Sequence, residues 1–254
     1  MERFVRLLVT AVVGFVPAAG LLTGSLTGHT VPFLIGAVAV ATALLIAGWP
    51  SLAHLPEPHS ARLALAFTGA VAIILAAIKP GDGSAVLVAI ALGFPAVFIR
   101  ELSRPAPRPD LVRSVAGTTC GVMAVAAMGL WVSAGDMQHF VDLAILAGTG
   151  VAVSCLALGL NRLLPAHGWR VEVAAISGFA LAACAGAGAA FLVSTPWWAG
   201  AAVAGACGVA PGAVWMVSES RGAASGRFRL RDAALVTLPL AVASVPVWAA
   251  ALMR

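Results

Sequence analysis

LGFPAVFIRELSRPAPRPDLVRSV, residues 92–115, is the stretch whose reading decides the fold. An apolar run broken by Pro95 empties into Arg100, Arg104, Arg108 and Arg113, while the segments on either side carry almost no charge. A run this apolar that ends in arginines reads as a membrane-spanning helix meeting water.

The rest of the chain agrees. Its 254 residues are 61% hydrophobic and 10% charged, where an ordinary soluble domain carries roughly 25% charged residues, and the mean hydropathy is +1.01. At about 20 residues per span the length is filled by eight to ten helices, with no room for a soluble domain. The expected fold class is therefore all-α, a polytopic transmembrane helix bundle forming one domain over residues 1–254. Apolar length places nine spans at 4–22, 31–49, 63–78, 85–99, 114–134, 141–160, 171–193, 199–217 and 233–252. The first imitates a secretory signal peptide, but further spans follow at once, so it reads as a retained helix. The least certain boundaries surround the fourth span, which is short, and the eighth, which Pro211 interrupts.

Charge orients the chain. With the N-terminus inside, thirteen of the fifteen basic residues fall on the cytoplasmic side and only Lys79 and Arg254 outside. The expected location is the plasma (cytoplasmic) membrane of the cell, an inner membrane, crossed many times. The seven tryptophans then divide into an inner set, Trp49, Trp169 and Trp215, and an outer set, Trp131, Trp197, Trp198 and Trp248, as interfacial belts. The net charge of +5 does not point to nucleic acid, because the basic residues are dispersed among loops without interleaved recognition residues. The partner expected for them is the bilayer itself, its anionic lipid headgroups, or a protein held at the cytoplasmic loops.

The sequence carries a candidate internal repeat, beside the plainer reading that turn residues and inside arginines recur in any polytopic chain. The fourth span ends GFPAVFIRELSR and the eighth ends VAPGAVWMVSESR; Glu101 precedes Arg113 by twelve residues, as Glu219 precedes Arg231. The likeness defines two four-helix units, 31–134 and 141–252, in the same orientation about an axis along the membrane normal. Gly200, Ala204 and Gly208 recur every four positions, which reads as close helix packing.

Chemistry is sparse. No catalytic signature is present, and an enzyme is not the favoured reading. Cys120, Cys155, Cys184 and Cys207 stand singly in apolar runs and read as small packing residues without metal-ligand spacing. No cofactor and no metal is expected. Pro95 and Pro211, at matching places in the two units, mark a candidate hinge or pathway, since irregular backbone in a membrane is tolerated where it lines a cavity. Arg100, Arg104, Arg108 and Arg113, with Arg221, Arg227, Arg229 and Arg231, form a candidate cytoplasmic anion or partner contact, because a guanidinium offers a bidentate fork. Asp136, His139 and Asp142, three residues apart, form a candidate outer cation site. His54, Glu57 and His59 read as a solvated, proline-stiffened turn.

GWPSLAHLP at 48–56 and FIRELSRPAPRPDLVRSVAG at 98–117 resemble uncharacterised multi-pass membrane proteins of actinobacteria, through Gly48, Trp49, Pro50, Leu52, Glu101, Leu102, Arg108, Leu111, Val112 and Ser114. The resemblance covers about the first half. It implies a multi-pass architecture and a host type, and no reaction. The leading functional expectation is a permease-like protein binding or moving a small or amphipathic solute. The alternatives are a non-catalytic scaffold acting through its arginine-rich loops and a lipid-modifying enzyme built on the outer Asp–His–Asp set.

Overall fold

The computed structural model describes residues 30–104, 110–135, 140–160, 170–191, 195–219 and 230–252. These residues form nine helical elements and, among them, no strand: α1 Thr30–Leu52, α2 Pro58–Ile78, α3 Ser84–Leu102, α4 Leu111–Ala127, α5 Gly129–Ala134, α6 Phe140–Leu160, α7 Arg170–Ala190, α8 Trp197–Glu219 and α9 Leu230–Leu252. They occupy the places of the expected second to ninth spans, with the fifth built from α4 and α5 in succession across Met128. The expected first span, 4–22, lies outside the described residues. Among the described residues six stretches are long and apolar enough to cross a bilayer: Pro32–Leu52, Pro58–Ile78, Ser84–Leu102, Leu111–Ala134, Phe140–Ala157 and Ala233–Leu252. Within α7 and α8, Ile176–Ala190 and Trp197–Val209 are further apolar stretches.

Helix α2 shows the packing logic. It begins at Pro58, whose fixed φ and missing N–H suit a first helical position, so it starts five residues before its apolar run does. Its buried positions are Ala61, Ala64, Leu65, Thr68, Gly69, Ala72 and Ala76, a stripe of mostly small residues at helical spacing. Its large residues Leu63, Phe67, Ile74 and Ile78 face outward and are exposed. Helix α3 repeats this, burying Ala85, Ala89, Gly93 and Val97 while Leu87, Leu92, Phe98 and Ile99 stay outside. Small residues inside and large apolar ones outside would be ruinous in water and are natural in lipid. The chain is an integral membrane protein.

The small residues bring backbones close. A Cβ on Gly93 would lie 2.6 Å from Thr68 Oγ1 on α2, and one on Gly69 would lie 2.9 Å from Val125 on α4. Helices α6, α7 and α8 form a second, denser group. Gly150 faces the Ala204 carbonyl, Gly186 and Gly200 meet backbone to backbone, Gly208 faces Ala182, and the Ser154 hydroxyl donates to the Gly208 carbonyl at 2.6 Å. The 200–204–208 stripe thus serves helix packing, as its spacing predicts.

Helix α9 joins the groups. It packs along α1 and, through its other contacts, on α4, α5, α6 and α8. Trp131 Nε1 on α5 donates to the Leu240 carbonyl at 3.0 Å, and Cys207 Sγ on α8 lies 3.8 Å from the Ala243 carbonyl as a weak donor. Helix α4 rests on α2, α3 and α1, whereas α9, its counterpart in the expected repeat, rests on α8, α6 and α1.

Several positions differ from their expected surroundings. Pro211 does not interrupt the eighth span: α8 continues through it, as α3 continues through Pro95, because one missing N–H costs a single rung that the remaining ladder bridges. Trp131 is not on the lipid-facing surface but 1% exposed, with its ring edge-on to Phe140 at 6.0 Å, because its N–H finds a carbonyl inside the bundle. Trp49 is likewise turned inward and donates to the Gly117 carbonyl at 2.9 Å. Trp197 and Trp198 are exposed. Cys155 and Cys207 are buried packing residues, but Cys120 and Cys184 lie on outward faces.

Candidate functional site: a buried charge cluster and a bridging helix

The stripe of small residues on α3, Ala85, Ala89, Gly93 and Val97, advances four residues at a time, and its next member is Glu101. Helical periodicity therefore drives a carboxylate into the bundle interior, where only 3% of it is exposed. A lone buried carboxylate would be severely destabilising, so it must be paired. Arg104, one turn further on, supplies the pair through Nη1, and the Ser114 hydroxyl at the start of α4 donates to Glu101 Oε2 at 3.0 Å. Hydrogen bonding to Glu101 holds the Arg104 guanidinium above its ordinary pKa.

Arg100 enters from the neighbouring position with its side chain 8% exposed. Its Nε donates to Ser60 Oγ at 2.9 Å and its Nη1 to Thr118 Oγ1 at 2.8 Å. Nη2 reaches Ser114 Oγ at 3.4 Å, the Glu57 carbonyl at 3.5 Å and Glu101 Oε2 at 3.7 Å. Glu57, on the turn before α2, closes the cluster: its Oε1 lies 3.1 Å from Arg104 Nε, and its Oε2 accepts from the Ser60 hydroxyl at 3.1 Å. Two arginines and two glutamates thus balance, and they tie the start of α2, the end of α3 and the start of α4 together.

Of the residues singled out from sequence, the structure brings together Arg100 and Arg104, and it occupies both with internal partners. Arg113 is exposed on the first turn of α4. Arg108, Arg221, Arg227 and Arg229 lie outside the described residues; Arg231 lies in the first turn of α9, its side chain outside the description. Asp136 and His139 are also outside, so the outer set is represented by Asp142 alone, in the first turn of α6. Among the described residues no three His, Cys, Asp or Glu side chains gather as metal ligands would. Pro95 is exposed on α3, which leans on α2, α4 and α5, and Pro211 is buried in α8, which leans on α6, α7 and α9.

No family model, curated protein or solved structure matches this chain.

What sequence reasoning missed is Glu101 and Glu57. The four-residue stripe on α3 carries the signal for the first. The second was masked by its two flanking prolines, which read as a solvated turn. A different polar feature lies along α9, where Thr237 and Ser244 are buried on one face, seven residues and two turns apart. Both hydroxyls now donate to carbonyls of their own helix, Thr237 to Ala233 at 2.9 Å and Ser244 to Ala241 at 2.7 Å.

Proposed function

We propose that this integral membrane protein is permease-like, moving a small or amphipathic solute along the seam between the α1–α5 group and the α6–α8 group. The observation that carries the reading is the position of α9. It packs extensively on both groups, which otherwise meet at contacts such as Trp131 on Phe140, it holds Pro239 and Pro246, and it lies more extensively on α1 than on α8 or α6. A helix that rides with one body and touches the other more lightly is where two rigid bodies would slide. Each proline removes a rung from its ladder and lowers the resistance to bending. Thr237 and Ser244 supply hydroxyls that a neutral polar group entering the seam would meet, in exchange for the intrahelical carbonyls they now serve.

The test uses the native surface cysteines. Cys120 on α4 and Cys184 on α7 are exposed and belong to different groups. Spin labels on this pair, in a Cys155→Ala, Cys207→Ala background in nanodiscs, are expected to give two distance populations. A single narrow distance would sink the sliding seam and the permease reading with it.

A further inference from the structure

The four charges at the end of α3 differ in one respect. The side chains of Arg100, Glu101 and Arg104 are 8%, 3% and 7% exposed, and Glu57 is 43% exposed. Arg100 and Glu101 on α3 and Arg104 two residues past its end are enclosed, while the fourth comes from the turn between α1 and α2. That turn holds Pro56 and ends at Pro58, the first residue of α2, and His54 there has a positive φ of 52°. The enclosed three carry a net charge of +1, so the cluster is neutral only while Glu57 is in place. A buried excess cation is strongly unfavourable and would recruit whatever anion reaches it.

The groups that hold Glu57 are also well placed for another anion. Its two carboxylate oxygens are divided between Arg104, at 3.1 Å, and the Ser60 hydroxyl, at 3.1 Å. Ser60 is itself held by Arg100 Nε. If Glu57 swings out, Arg104 Nε and the Ser60 hydroxyl are left at the spacing of two oxygens on one group, backed by Arg100. A phosphate presents two such oxygens and is matched by a guanidinium in the same bidentate manner. Arg100 and Glu101 stay committed to Thr118 and Ser114, so the exchange does not dismantle the α2–α3–α4 contact.

We propose that Glu57 is an exchangeable counterion, and that a phosphate-bearing anion takes its place against Arg104 and Ser60. Lipid headgroup phosphodiesters and free phosphate share this chemistry. The proposal is independent of the solute seam.

Two arms separate the sources. Glu57→Ala, purified in a neutral detergent, is expected to melt at a higher temperature in inorganic phosphate than in chloride of equal ionic strength. Wild type, in which Glu57 competes with the anion, is expected to show a smaller shift of the same sign, and the Glu57→Ala, Arg104→Gln double variant none; a wild type with no shift at any phosphate concentration overturns the exchange. In nanodiscs made with phosphatidylglycerol or phosphatidylcholine, Glu57→Ala is expected to retain phosphatidylglycerol about tenfold more than wild type does. A response to phosphate alone assigns a free anion, and a response to phosphatidylglycerol alone assigns the headgroup. No response in either arm from a folded Glu57→Ala overturns the proposal. Should that variant fail to fold, Glu57→Gln removes the charge and keeps the side-chain volume. It is expected to respond as Glu57→Ala would, and its silence in both arms overturns the proposal equally.

Discussion

Glu101 illustrates how a single position can be both dictated by the sequence and hidden in it. The four-residue stripe of α3 commits that position to the interior, and chemistry then obliges Arg104 and Ser114 to meet it. Removing the carboxylate leaves two arginines with side chains 8% and 7% exposed without the buried acceptor they share. Glu101→Ala is therefore expected to destabilise the fold by about 3–5 kcal/mol, read as a lower midpoint in denaturant titration of the purified protein. Arg113→Gln, at an exposed position, serves as the contrast and is expected to change stability by no more than about 0.5 kcal/mol. Reading arginines in a loop as a topological signal explained why they lie at this end. It did not find their partners, because pairing across 40 and 43 residues, as between Arg100 and Ser60 or Glu57, is set by how three helices meet. At the opposite end of α2 and α3 the charge chemistry is local. Asp82 accepts from the Ser84 N–H at 2.8 Å and its hydroxyl at 2.6 Å, and these bonds hold its carboxyl below the ordinary aspartate value.

At the scale of helices, the legible part was large. Apolar length predicted every described span, and boundary shifts trace to particular residues: Pro58 starts α2 early, and Met128 divides the fifth span. What could not be read was which face each helix turns to which neighbour. Trp131 belongs to an apolar segment with no sign of direction, and only the Leu240 carbonyl opposite explains why it is buried. Glycines divide in the same way. Gly150 has the Ala204 carbonyl against it, whereas Gly36 on α1 has nothing within 4 Å. Gly150→Ala is expected to push α6 from α8 and lower stability by about 1–3 kcal/mol, while Gly36→Ala is expected to be neutral or to stabilise α1 by up to about 1 kcal/mol. Thermal midpoints of the two variants beside wild type check both signs. Equal effects would mean that the α6–α8 contact is looser than the glycine geometry implies.

For the whole molecule, the question is whether the two helix groups move. The Ala243 carbonyl on α9 lies 3.8 Å from Cys207 Sγ on α8, which makes Ala243→Cys a candidate partner for the native thiol. Oxidation of that pair is expected to stop efflux of a small neutral amphipathic fluorophore from proteoliposomes, and reduction is expected to restore it. Unchanged efflux with the cross-link in place would argue that any solute path lies elsewhere. The division into groups was only partly foreseeable. Sequence similarity between 31–134 and 141–252 pointed to two units, yet α9 lies chiefly along α1, across the boundary that those units draw. A one-dimensional pattern cannot say which neighbour a helix will choose when both offer small residues.

The inward turn of small side chains and the outward turn of large ones sets how this protein tolerates change. In a water-soluble domain the bulky apolar residues are the irreplaceable ones and surface positions are permissive. Here Leu63, Phe67, Ile74 and Ile78 on α2 face lipid and can be exchanged for one another with little consequence. Ala72 and Ala76 on the same helix, both 0% exposed, face the helices packed on α2, where a larger side chain is expected to be costly. A saturation scan of α2 would thus trace a helical stripe of intolerance running through its smallest residues.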